Sequence, residues 1–362
     1  MPAEWESHAA TWIGWPHNKS DWPGRFAPIP WVYGEIVRQL TKGETVRILV
    51  NDATHERGAR RVLEQVGADL ERVQFLRFAT NRGWTRDFGP IFVRRDAPRP
   101  ELAIARFRFN AWAKYSDWKK DDRIPDLAAR RFKFKTLRIV HGGHPVVLEG
   151  GSIDVNGAGT VITTEECLLD PVTQARNPYL HRSEIETVLC NALGVSTVIW
   201  LGRGIAGDDT HGHVDDVCRF VDATTVVLCQ EYDAKDANYA ALAENKERLH
   251  DARTADGSKI EVIDLPMPAP LSFDGQRLPA SYANFYVANA AVLVPTFNDP
   301  NDRHALGLLG EVFSDRPVIG IHALDLVWGL GTLHCLTQQE PTPLVAVPTE
   351  PGPVNYEQQR ER

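Results

Sequence analysis

The sequence predicts an α/β protein assembled from a repeated strand–strand–helix–strand unit. Two patterns carry this expectation. Helical and strand periodicities alternate through residues 30–80. Further on, a strand, tight turn and strand recur at nearly constant spacing: the turn residues Asn156, Asp222 and Asn289 lie 66 and 67 positions apart. Units of that period, about five in a chain of 362 residues, point to a ring of pseudo-symmetric blades.

Taken in order, the opening carries Trp5, Trp12, Trp15, Trp22 and Trp31 among Pro16, Pro23, Pro28 and Pro30. Five exposed indoles would be insoluble, so this segment is expected to be packed down. Tyr33, Ile36, Val37 and Leu40 share one helical face, with Gly43 as the stop. A strand is expected over 46–50, a helix over 55–66 and a strand over 73–78. A loose hairpin pairs 88–95 with 102–107. The next one, 152–155 with 160–163, turns at Asn156-Gly157, a pair that favours positive φ. Ser183 and Glu186 read as a capping box for a helix with Ile185, Val188, Leu189 and Ala192 on one face and Gly194 as terminator. Hairpins at 216–229 and 284–295 follow, with helices over 235–249 and 302–312.

Composition narrows the class. The chain is 43% hydrophobic and 24% charged with a net charge of −8, and its Lys and Arg form no long runs, so no nucleic-acid partner is expected. No apolar run reaches the length of a membrane span and no basic-then-apolar leader opens the sequence, so a cytoplasmic protein with no membrane partner is expected. A homo-oligomer is allowed. The five cysteines are odd in number and lack Cys-x-x-Cys spacing, which argues against a disulfide framework and a cysteine-ligated zinc site.

The chemistry centres on Gly329-Leu330-Gly331-Thr332-Leu333-His334-Cys335, where two glycines interrupt an apolar run and are expected to display the thiol of Cys335 in a loop. Cys229, inside Val226-Val227-Leu228, reads instead as a small hydrophobe. Polar groups stand just ahead of the hairpins: Trp84-Thr85-Arg86-Asp87, Glu149-Gly150-Gly151, and Asp208 to Asp215. In a ring, equivalent strand ends share one mouth, so Asp87, Glu149, His213, Asp215 and Cys335 are expected to converge. A guanidinium is planar, cationic and weakly electrophilic; holding it takes paired carboxylates and attacking it takes a soft nucleophile. Asp87, Asp215 and Cys335 meet those needs, with His213 moving protons.

Plainer readings exist for each residue. Asp87 can pair with Arg86, Glu149 can sit in a solvated turn, Trp84 and Trp112 can serve packing, and His211 can be structural. The alternation of Asp209, His211, His213 and Asp215 would place all four on one face of a strand, the design of a metal-dependent ureohydrolase. A binding protein for cationic amines would share the carboxylates without turnover.

The chain resembles the agmatine deiminases and bacterial peptidylarginine-deiminase-like proteins of the guanidine-modifying superfamily. The resemblance rests on Pro2-Ala3-Glu4-Trp5-Glu6, Trp84-Thr85-Arg86-Asp87-Phe88-Gly89-Pro90, Phe109-Asn110-Ala111-Trp112, Leu148-Glu149-Gly150-Gly151-Ser152, Gly207 to Asp215, Leu278 to Asn284, Asn298 to Asp302, and His334-Cys335-Leu336-Thr337-Gln338-Gln339. It implies a single catalytic domain over 1–362, a five-bladed α/β propeller with an axial site, and neither metal nor organic cofactor. Cys335 is implied as nucleophile, His213 as general acid and base, Asp87 and Asp215 as guanidinium clamps, and Glu149 as a further site carboxylate. Asp209 matches an acidic position toward the far end of the substrate. Many relatives carry more glycine, or an asparagine, before the His-Cys pair, where this chain has Gly331-Thr332. Agmatine bears an amine and no carboxylate at its far end, so Asp209 and the resemblance together point to deimination of agmatine to N-carbamoylputrescine and ammonia. Peptidyl-arginine or free arginine are the alternative substrates.

Overall fold

The computed structural model describes residues 1–95 and 100–343; residues 96–99 and 344–362, part of the expected single domain, lie outside the described residues. The fold is mixed α/β. Among the described residues, five sheets of three or four strands repeat one order: an outer strand antiparallel to a middle strand, which runs parallel to a third beyond a helix. Four are local in sequence. Ile91–Arg95, Glu101–Arg106 and Lys135–Arg138 form one, Asp154–Val155, Thr160–Thr164 and Thr197–Leu201 the next. Cys218–Phe220, Thr225–Gln230 and Glu261–Pro266 form another, and Tyr286–Val287, Val292–Thr296 and Val318–His322 the last. The parallel crossovers are helices Ile124–Phe132, Arg182–Leu193, Tyr239–His250 and Asn301–Val312. The remaining sheet joins distant segments: Thr337–Pro341 runs antiparallel to His8–Gly14, which pairs in parallel with Thr45–Leu49 and through it with Val73–Leu76.

Local chemistry explains the elements. Helix Ile29–Leu40 buries Ile29, Tyr33, Ile36, Val37 and Leu40, the expected face, but Thr41 caps it ahead of Gly43. Trp12, Trp15 and Trp22 are buried, whereas Trp31, on the opposite helical face, stays 47% exposed; packing absorbs most of the early indoles and not all five. The capping box belongs to His181 and Glu184, two residues before the expected Ser183 and Glu186, because the helix starts at Arg182. Gly194 closes that helix at φ +69° and Gly157 turns its hairpin at φ +70°, conformations that favour glycine.

The expected hairpin starts are also revised. Phe88, Ser152 and Asp216 lie in short helical turns, Thr85–Phe88, Gly150–Ser152 and Val214–Asp216, and the strands begin two or three residues later. Among the described residues, no helix is long and apolar enough to cross a membrane. All five cysteines are free thiols.

Candidate active site

Those helical turns, together with Leu333–Leu336, carry the residues of interest. Each turn immediately precedes an outer strand, and the 85–88 turn packs against both the 333–336 and 150–152 turns, which brings residues far apart in sequence together. Gly151 lies at their meeting point. A Cβ there would fall 2.5 Å from His213 Nδ1, 2.9 Å from Asp87 Oδ1 and 3.0 Å from Asp215 Oδ2. Only a residue without a side chain lets the three ionisable groups converge, and its N–H donates to Asp87 Oδ1 at 3.1 Å.

Cys335 is held rather than displayed. It lies in the helical turn Leu333–Leu336 and is only 5% exposed, which corrects the expectation of a loop thiol. Its Sγ is 3.8 Å from Asp215 Oδ2 and accepts from Asn284 Nδ2 at 3.2 Å. Asn284 Oδ1 in turn accepts from Thr332 Oγ1 at 2.7 Å and from the His334 N–H at 3.0 Å. Thr332 thus fixes the nucleophile segment through Asn284. Burial pushes the Cys335 thiol well up, and the carboxylates of Asp215, Asp216 and Asp87 push it further. At rest it is a neutral thiol.

The flanking groups divide the charge. His213 is fully buried, with Nδ1 3.7 Å from Asp87 Oδ1 and 3.9 Å from Asp215 Oδ1, and Nε2 3.7 Å from Glu149 Oε2. Neither ring nitrogen has a hydrogen-bond partner. Burial alone would lower its pKa; the Asp87 carboxylate, then the Cys167 thiol and Glu149, outweigh that and hold it well above the ordinary imidazole value. Asp87 is raised to about 6, chiefly by burial, with Asp215 and Glu149 adding to the rise and His213 opposing it. Its Oδ2 accepts from Trp112 Nε1 at 2.9 Å. Arg86 turns away from it to Glu4, Gln339 and the His334 carbonyl, so an Asp87–Arg86 pair does not form. Glu149 is no solvated turn residue: it is fully buried, and despite that burial the Arg176 guanidinium 3.2 Å away keeps its carboxyl below the usual range.

A cavity of ≈ 180 Å³ opens over Cys335. Trp84, Asp87, Trp112, Asp209 and Cys335 belong to its wall, whereas His213, Asp215 and Glu149 are fully buried and do not. Trp112 enters the wall through three successive left-handed residues, Ala111, Trp112 and Ala113, at φ 51°, 57° and 52°. Side-chain-bearing residues keep that conformation only where surroundings impose it; here Asn110 Oδ1 accepts from the Ala113 N–H at 2.9 Å. Asp209 accepts from Tyr115 Oη at 2.7 Å and pairs with Lys114.

The alternating metal face does not form. Residues 209–215 are turns and a short 3-10 helix, not a strand, with His211 at φ +65° and Gly212 at φ +90°. His211 therefore points to Asp170, 2.9 Å away, and Asp209 to Lys114. Sequence reasoning assigned no chemistry to Asn284, Glu4, His334, Arg176, Asp21 or Arg82. Glu4, Asn284 and His334 lie within the segments that carry the resemblance, the one signal for them in the sequence.

A model of the Porphyromonas-type peptidyl-arginine deiminase family matches residues 1–341. Among curated relatives, the agmatine deiminase of Stutzerimonas stutzeri (strain A1501) is 36% identical, covering 95% of this chain and 96% of its own. The agmatine deiminase of Medicago truncatula is 37% identical over 94% of this chain and 96% of its own. Among solved structures, the agmatine deiminase of Enterococcus faecalis superposes with a TM-score of 0.86 at 30% identity, over 95% of this chain and 96% of that one. On this likeness over nearly its whole length, the chain belongs to the Porphyromonas-type peptidyl-arginine deiminase family.

Proposed function

We propose that the protein hydrolyses agmatine to N-carbamoylputrescine and ammonia through a thiouronium intermediate on Cys335. The observation that carries this reading is the convergence of Asp87, Asp215 and His213 on the Gly151 backbone, beside the Cys335 sulfur. Relatives named agmatine deiminase along almost the entire chain support it.

Asp87 and Asp215 grip the guanidinium. Its positive charge offsets the carboxylate field that keeps the thiol protonated, so substrate binding itself favours the thiolate, and the thiol proton leaves to solvent. Sulfur adds to the guanidinium carbon. The His213 imidazolium protonates one –NH₂, ammonia leaves, and the carbon remains bound to sulfur as a thiouronium. Neutral His213 then takes a proton from water, the hydroxide adds to carbon, and collapse expels the thiolate while the hydroxyl proton passes to the released ammonia, leaving the ureido product. The net change is guanidinium plus water to urea derivative plus ammonium.

The same reading takes the five sheets as blades of one α/β propeller and one catalytic domain, because the strand 337–341 pairs with 8–14 and ties the far segments together. The Glu149 ion pair with Arg176 and the engagement of Asp209 by Lys114 leave those carboxylates served by fixed cations, which favours the thiol route over a metal-dependent one. Free thiols fit a cytoplasmic setting.

The test is product analysis with agmatine, free arginine and a peptide ending in arginine. Ammonia from agmatine at far higher kcat/KM supports the proposal. Preference for the peptide, or urea in place of ammonia, overturns it.

A further inference from the structure

Resting on the deimination reading, we propose that Asp21, rather than Asp209, receives the distal ammonium of the substrate. Asp209 already uses both carboxylate oxygens, Oδ1 toward Lys114 and Oδ2 toward Tyr115. Asp21 lines the same cavity as Cys335 and is differently placed. Its side chain is 1% exposed, one oxygen pairs with Arg82, and Oδ2 is buried with no hydrogen-bond partner. A buried carboxylate oxygen left unpartnered beside a cavity costs free energy that a donor in the cavity recovers.

Charge balance selects the donor. Arg82 lies between Asp21 and Asp117, the latter 3.2 Å away, so two carboxyl groups share one guanidinium, and with both ionised the cluster carries one negative charge in excess. An ammonium neutralises that excess. A carboxylate would have to compete for Arg82 with both aspartates, although Arg82 Nε is itself unpartnered. Burial, with Asp117 adding and Arg82 and the Trp84 indole opposing, raises Asp21 to about 7, so a cation placed beside it favours the ionised form. Asp21, Asp87 and Cys335 line one cavity, so a guanidinium beside Asp87 and an amine beside Asp21 share it.

Binding measured by calorimetry on Cys335→Ser protein tests this without requiring turnover. Agmatine is expected to bind about 10- to 100-fold more tightly than n-butylguanidine, which lacks the amine. Adding Asp21→Asn should remove that preference while leaving n-butylguanidine affinity within about threefold, which also reports an intact site. Asp117→Asn, which contacts Arg82 outside the cavity wall, should keep the preference. Equal losses for both guanidines with Asp21→Asn, no initial preference, or loss of preference only with Asp209→Asn would each overturn the assignment. Failure of the deimination reading shows separately, as no ammonia from either guanidine with Cys335 intact.

Discussion

Asp215 Oδ2 lies 2.7 Å from Nδ1 of His334, the residue that immediately precedes Cys335. The other ring nitrogen of His334 lies 2.8 Å from Glu4 Oε2, so the ring bridges the two carboxylates. Asp215 is thereby tethered to the nucleophile segment itself. Its carboxyl is held below the usual range because His334, ahead of His213 and Arg219, outweighs the effect of burial. Asp215→Asn keeps the shape and removes the charge. Loss of kcat/KM equivalent to about 2–5 kcal/mol is expected, as for one partner of a desolvated pair. Steady-state kinetics on the folded variant decide it, and an unchanged kcat/KM removes Asp215 from the guanidinium grip.

Cys335→Ser should lose several orders of magnitude in kcat, as when a covalent route is removed. Because burial and three carboxylates keep the thiol protonated, iodoacetamide should inactivate the free enzyme slowly at pH 7 and faster as pH rises. Agmatine should protect. Rapid, pH-independent alkylation would contradict the neutral resting thiol.

Asp87 sets an acid limb. Burial, Asp215 and Glu149 raise it to about 6, so below that pH it carries a proton and no longer attracts a guanidinium. kcat/KM for agmatine should fall as pH drops through about 6, and the Asp87→Asn variant should lack that limb. The stability effect has the opposite sign. Between the ordinary value of 3.8 and about 6 the folded state binds the extra proton, so the Asp87 contribution to stability declines as pH rises through that window. Thermal melts at pH 4 and pH 7 with Asp87→Asn as reference separate the two.

Gly151→Ala tests convergence sterically. Gly151 does not occupy the left-handed region, so alanine adds only a methyl, placed 2.5 Å from His213 Nδ1. Moving the imidazole or a carboxylate to make room should lower kcat by at least about 100-fold, with an overpacking cost of about 1–3 kcal/mol. Kinetics beside a urea melt would show it; near-normal activity would mean that the three groups need not meet there.

How far the sequence reached follows from the range of each interaction. The strand–strand–helix–strand order and the Gly157 and Gly194 turns were legible because periodicity and turn chemistry are local. Asp87, Glu149, His213 and Asp215 were legible as a set from their places ahead of strands, Cys335 from its glycine-flanked setting, and all five from the resemblance. The helical turns at or beside them were not, since lengths of three or four residues leave no periodicity to read. The contact of Glu4 with His334 spans 330 positions, and that of Asn284 with Cys335 spans 51, so nothing near either residue announced its partner. Asp209, His211, His213 and Asp215 misled because alternation signals a shared face only in an extended strand, and Gly212 at φ +90° breaks it.

Arg176 and Glu149 supply the last prediction, because both side chains are 0% exposed and each is the main compensation of the other. Arg176 Nε lies 3.2 Å and 3.3 Å from the two Glu149 oxygens, while its NH1 and NH2 groups donate to the carbonyls of Gln174 and Thr210. Arg176→Met leaves a carboxylate buried without its cation, and a loss of about 3–5 kcal/mol in urea unfolding is expected at pH 7. Glu149 is held below its ordinary value, so its contribution is present above the unfolded pKa and fades as pH falls through the folded one. The Arg176→Met penalty should therefore shrink in acid, where a protonated Glu149 needs no cation. Glu149→Gln in the same chain should recover part of the stability, and the double-mutant cycle reads the coupling directly. Activity should not return with it, because Glu149 Oε2, 3.7 Å from His213 Nε2, is one of the charges that keep His213 protonated for ammonia departure. Recovery of full turnover in Glu149→Gln/Arg176→Met would assign the pair to folding alone.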